Sequence, residues 1–216
     1  LGRSAQTPAA VLFELKNWDI SATKPGPRES IVLHQSKEML HPSEQVRGYV
    51  EYVESFHSAV LDRKARIAGC SLMTNSKDAS VLLVAPYDRL QSTYPVFSMG
   101  ARDIKTRLPE FLKGFISESD EQWAKEFQEG QYKQDRSFVR MVASAVSDPA
   151  CREFVLIDGQ RKGYELCHAE IDRLITEAPN EKLVIIIEGP PGSGKSVLAA
   201  KLWASLNHDD RLDGNQ

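Results

Sequence analysis

A mixed α/β protein of two unlike parts is predicted here, on three observations. An apolar run at 11–16 is followed by an amphipathic helix at 41–61 and a second apolar run at 66–75, the order strand, helix, strand. From Ala101 to Asp148 the pattern is mostly helical. An aliphatic run, "KLVIIIE" (182–188), then leads directly into "GPPGSGKS" and the helical "VLAAKLWASL".

Each element has its own reason. Val11, Leu12, Phe13 and Leu15 make a strand with at least one covered face, yet Glu14 and Lys16 interrupt it at a spacing of two. Successive strand side chains point to opposite faces, so this carboxylate and ammonium project from the same side. "SATKPGPRES" (21–30) is a loop, rich in Pro, Gly and polar residues. "IVLHQSKEML" (31–40) reads either as a short strand or as the start of a turn. In the helix at 41–61, Ser43 is the expected N-cap, and Val46, Tyr49, Val50, Val53, Phe56 and Val60 follow the helical period. "RIAGCSLMTN" (66–75) and "SVLLVAPY" (80–87) read as strands. "DIKTRLPEFLKGFI", "DEQWAKEFQE" and "RSFVRMVASAV" read as helices. "FVLIDGQRKGYELCHAEIDRLITEA" opens on a short apolar segment and becomes a helix from about Gln160. "KLVIIIE" reads as a fully buried strand.

Composition narrows the class. A hydrophobic fraction of 41% over 216 residues supports a real core. The net charge of −3 gives no global basic signal for nucleic acid and leaves local basic patches open. No run of about eighteen apolar residues is present, so no membrane span is expected. "LGRSAQTPAA" shows no signal-peptide pattern, and there is no initiator Met, which suggests a fragment. Cys70, Cys151 and Cys167 lie far apart and form neither a disulfide framework nor a zinc spacing. A reducing cytoplasm is the expected location.

The most specific motif is the glycine-rich loop. Gly189, Gly194, Lys195 and Ser196 match G-x-x-x-x-G-K-[ST] without departure, with Gly192 between them. Glycines let the backbone wrap phosphates, and the helix that follows adds free N–H donors and the positive end of its dipole. Lys195 is expected at the β/γ-phosphates and Ser196 on Mg²⁺.

The stretch "EFVLIDGQRKGYELC" ahead of "VIIIEGPPGSGKSVLAAKL" resembles the start of the Schlafen-group type of DNA/RNA helicase domain, over about residues 151–206. That resemblance implies ATP as the nucleotide and nucleic acid, DNA or RNA, as the partner. It places Gln160 at the glutamine that reads adenine, a role that suits a bidentate carboxamide. Members of that family often carry an N-terminal nuclease-like region of the PD-(D/E)XK type. "ELKNW" resembles the E-x-K half of that motif, with Glu14 and Lys16 at the matching positions, and "HPSEQVRGYVEY" resembles the helix that follows, with Gln45 and Tyr49 one turn apart.

The resemblance therefore implies a restriction-endonuclease-like domain at 1–100, a helical connector at 101–150 and the first βα unit of a P-loop NTPase at 151–216. Glu14, with an Asp from a preceding strand, would hold Mg²⁺, and Lys16 would position a water or neutralise the phosphate. Nothing acidic precedes Glu14 here, so that Asp lies upstream or the site is incomplete. No Walker B acid follows Ser196, so hydrolysis by these residues alone is not expected. The reading is a fragment of an ATP-dependent nuclease–helicase. The alternative is a P-loop regulatory ATPase whose N-terminal domain is an inactive module that binds nucleic acid or protein. His34 and His41 lie near the proposed site, where His41 is either a phosphate or Glu14 contact or a turn residue before Pro42. Arg102, Lys105, Arg107 and Lys113 form either a nucleic-acid stripe or a solvated helix face.

Overall fold

The computed structural model describes residues 1–132, 144, 155–156, 158–178 and 181–212. The chain is α/β and divides into two units, Leu1–Gln134 and Asp135–Gln216.

In the first unit, β1 (Gly2–Ser4) pairs antiparallel with β2 (Thr7–Lys16), so the expected strand begins earlier, at Thr7. Part of the expected 21–30 loop is a short strand, β3 (Thr23–Pro25), which joins β4 (Ile31–His34) and β5 (Lys37–Leu40) in a three-stranded antiparallel sheet. The ambiguous 31–40 segment is thus a hairpin. Its turn residues Gln35 and Ser36 take φ of 51° and 60°, the left-handed pair that a tight two-residue hairpin turn demands.

The expected helix at 41–61 is two helices, α1 (Pro42–Phe56) and α2 (Ser58–Arg63). His57 leaves helical geometry between them at φ −82°, ψ 115°, while its N–H still bonds to Val53 O. The N-cap of α1 is His41, not Ser43: the imidazole Nδ1 accepts from the Ser43 N–H. Pro42 fills the first helical position, where its missing N–H has no intrahelical partner to lose.

Strand β6 (Arg66–Met73) follows as expected. The strand expected at 80–87 does not form. Asp78 accepts from the Ser80 N–H and starts a 3₁₀ turn over Ser80–Leu82. Tyr87 then turns inward, its hydroxyl donating to Ile31 O and accepting from the Gly26 N–H. After α3 (Asp88–Thr93) comes β7 (Val96–Ser98), then a π-turn at Asp103–Arg107, α4 (Leu108–Phe115) and α5 (Glu121–Glu129).

The main sheet has the order β1-β2-β6-β7, with β2, β6 and β7 parallel. Strand β2 is therefore interior. In its register with β6, Leu12 faces Gly69, Glu14 faces Ser71 and Lys16 faces Met73. Helix α1 lies against this face so closely that a Cβ at Gly69 would meet Val46 Cγ2 and Val50 Cγ2 at 2.8 Å each. Val46, Val50 and Val53 are buried, as the helical period predicts. The polar pair of β2 thus faces the covered side, whereas Phe13 and Leu15 stay exposed on the other. On that other face α4 sets Phe111 against Phe97.

The connector expected at 101–150 begins inside this first unit. Trp123 of α5 is fully buried, and its indole N–H donates to Ala9 O at 3.0 Å. The helix expected at "RSFVRMVASAV" lies essentially outside the described residues, as does Cys151. Cys70 and Cys167 are buried free thiols.

The second unit pairs α6 (Asp158–Glu177) with α7 (Lys195–Leu206). Among the described residues, Leu156 ahead of α6, Cys167 and Ile171 on α6, and Leu198 and Ala204 on α7 are buried residues of apolar type in this unit. The expected buried strand 182–188 is not observed: Val184 is 81% and Ile186 77% exposed. A parallel strand needs neighbours for its backbone groups, and among the described residues none pairs with this segment. No helix of the described residues is long and apolar enough to cross a membrane.

Candidate functional site

The first site lies at the carboxyl end of β2, the end of parallel strands where ligands of open α/β sheets bind. Lys16 Nζ is 2.7 Å from Glu14 Oε1 and donates to Gln45 Oε1 at 2.6 Å. Gln45 Nε2 in turn donates to the Tyr49 hydroxyl at 2.7 Å. Glu14 and Lys16 meet because the strand period puts them on one face; Gln45 and Tyr49 meet because four residues make a helical turn. The close packing of α1 at Gly69 brings the two pairs together.

Around them stand aromatic groups. Lys16 Nζ lies 5.2 Å from the Trp18 ring centre, and Trp18 stacks on His34 at 4.6 Å. His34 Nδ1 is 2.9 Å from Thr23 Oγ1. His41 does not reach the site. It is buried, stacks on Tyr87 at 4.4 Å, and its Nε2–H donates to Leu82 O at 3.1 Å. Burial pushes its pKa down to about 4. His57 is likewise buried, stacked on Phe127. In the proposed basic stripe, Arg107 is taken by Asp103 at 2.6 Å and lies over Phe97.

One residue was missed by sequence reasoning. Ser71 is the Cα partner of Glu14 on the adjacent strand, on the same face, fully buried, with a hydroxyl that finds no hydrogen-bond partner among the described residues. Only strand pairing, which is non-local, reveals it. Among the described residues no group of three or more His, Cys, Asp or Glu comes together to hold a metal ion. Glu14 is already paired with Lys16, and one carboxylate does not fit a Mg²⁺ site by itself.

The second site is the loop before α7. Gly192 and Gly194 take φ of 76° and 80°, a conformation that strains any residue with a Cβ. Lys195 Nζ donates to Gly189 O at 2.8 Å and Pro190 O at 2.9 Å, so the ammonium sits within the loop. The cap position of α7 is Gly194, which has no side chain to cap the first turn, so the N–H donors of that turn face the loop. Gln160, near the start of α6, donates from Nε2 to Ser193 O at 3.1 Å. A cavity of about 460 Å³ is lined by Asp158, Gln160, Glu188, Gly189, Ser193 and Lys195, among others. Ser196 is exposed in the first turn of α7. These residues fit a nucleotide's phosphates: glycine backbone, one ammonium, one hydroxyl for a phosphate-bound Mg²⁺ and a free helix terminus. Searches against protein-family models, curated proteins and solved structures return no match to this chain.

Proposed function

We propose that the chain belongs to an ATP-dependent enzyme that processes DNA or RNA, with a nucleotide-binding P-loop unit and a nuclease-like N-terminal domain of restriction-endonuclease type, working in the cytoplasm. One observation carries this reading: Glu14 and Lys16 of an interior strand meet Gln45 of α1 through a single ammonium, at the carboxyl end of the parallel strands. An ammonium so placed suits the phosphodiester of a nucleic acid. Bound ATP would supply the energy of phosphoryl transfer. Lys195, the loop N–H groups and Ser196 would hold its phosphates and their Mg²⁺.

A second reading is favoured by the donor set. Glu14 is already paired with Lys16, and among the described residues no group of three or more His, Cys, Asp or Glu assembles, so the N-terminal domain is alternatively a module that binds nucleic acid or protein without cutting it. No cleavage step is assigned to residues 1–216. The test uses the protein from its complete reading frame, assayed for ATP turnover and nucleic-acid cleavage. Stimulation of ATP turnover by nucleic acid supports the reading. ATP turnover indifferent to every nucleic acid tried supports the regulatory ATPase instead.

A further inference from the structure

We propose that Gln160 is a strut of the phosphate loop and a determinant of triphosphate affinity rather than a reader of the base; this rests on the nucleotide-binding reading of the loop. Three side-chain hydrogen bonds tie the loop's carbonyls among the described residues. Lys195 makes two of them, to Gly189 O and Pro190 O, and Gln160 makes the third, to Ser193 O. A triphosphate must draw Lys195 away, because the ammonium that neutralises the phosphates is the one now on the two carbonyls. When it moves, the Gln160 bond to Ser193 O is the one of these three that remains.

The placement of Gln160 comes from helix packing. On α6 it stands one turn before Gly163, on the same side of the helix. Gly163 lies so near α7 that a Cβ there would come 3.1 Å from Leu198 Cδ1. The carboxamide is pressed onto the backbone of Gly194, where any Cβ would collide with Gln160 Nε2. In the nucleotide-binding reading that turn would hold phosphates through its backbone N–H groups, so a group packed on it would act on phosphate binding.

The test measures Mg²⁺-dependent binding of ATP, GTP and inorganic tripolyphosphate to the complete protein by titration calorimetry. Wild type is compared with Gln160→Ala and Gln160→Met, the second keeping the side-chain length and helix propensity without a donor. The expected result is a loss of about tenfold, the size of one good hydrogen bond, shared by all three ligands. Loss of ATP affinity alone, with tripolyphosphate unchanged, overturns the proposal and makes Gln160 an adenine reader. Unchanged affinity for all three also overturns it. Failure of the wild type to bind any of the three removes the nucleotide-binding reading itself, and the strut with it.

Discussion

Lys16 and Gln45 are joined by a hydrogen bond of 2.6 Å, which ties the carboxyl end of β2 to the first turn of α1. The same ammonium holds Glu14 at 2.7 Å, and the two charged side chains are only 12% and 16% exposed. Removing one partner leaves the other charge largely out of water and unpaired. Lys16→Met and Glu14→Gln should each destabilise the first unit by about 1–3 kcal/mol. The double variant should cost less than the sum, because neither charge then remains. Urea unfolding of the four proteins measures this, and strict additivity would show that the pair is not coupled.

The join depends on how closely α1 approaches the sheet. Gly69 permits that approach, since a Cβ would fall 2.8 Å from a methyl of Val46 and of Val50. Gly69→Ala should therefore lower stability by about 1–3 kcal/mol through overpacking. Its effect should be partly relieved by Val46→Ala, which removes one of the two methyl contacts. A Gly69→Ala protein as stable as wild type in urea would mean that α1 moves freely on the sheet.

How much of this was readable from residue order depends on whether the controlling contact is local. The strand at 11–16, the same-face placement of Glu14 and Lys16, and the buried stripe of α1 follow from periods of 2.0 and 3.6 residues, and they are observed. The 80–87 segment misled because Val81, Leu82, Leu83 and Val84 look like a strand, while the Asp78 side chain and the inward Tyr87 decide otherwise. The hairpin turn at Gln35 and Ser36 carries no Gly or Asn to announce its positive φ. Ser71 could not be found at all without the β2–β6 register. The run at 182–188 has the composition of a buried strand, but composition supplies no hydrogen-bonding neighbour.

His41 makes stability depend on pH. Its Nδ1 accepts from Ser43 N–H and its Nε2–H donates to Leu82 O, so only the neutral ring fits both bonds. Its pKa is lowered from 6.5 to about 4 in the folded state, chiefly by burial. The unfolded chain therefore binds a proton that the folded chain resists. The contribution is complete above pH 6.5 and is lost progressively as pH falls toward about 4, with a total of about 3 kcal/mol. Unfolding free energies for wild type and His41→Asn between pH 4 and 7 should show the flatter slope in the variant. Equal slopes would place the titration elsewhere.

Lys195→Ala in the complete protein should abolish ATP hydrolysis, because the β/γ-phosphates lose their ammonium. The variant also frees Gly189 O and Pro190 O, whose bonds to Nζ are solvent-accessible, so water can replace them and the fold should survive. Turnover with and without single-stranded nucleic acid is the measurement. Retained turnover would remove the loop from the mechanism.

Glu14 decides between cutting and holding. If the N-terminal domain cleaves, a second acid must join Glu14, since one carboxylate holds Mg²⁺ poorly against water. Residues 1–216 alone should then show no Mg²⁺-dependent cleavage of single- or double-stranded DNA, because among the described residues no group of three or more His, Cys, Asp or Glu assembles to hold the metal. In the complete protein, Glu14→Gln should abolish cleavage while nucleic-acid binding persists, because Lys16 remains to meet the phosphate. Lys16→Met should weaken both. If the domain only binds, Glu14→Gln should bind nucleic acid more tightly than wild type, since it frees the Lys16 ammonium from its carboxylate partner at 2.7 Å, and no protein in the series should cut. Digestion with Mg²⁺ or Mn²⁺, binding by fluorescence anisotropy and circular dichroism as the folding control separate the two. Cleavage that survives Glu14→Gln would place the scissile chemistry away from β2 altogether.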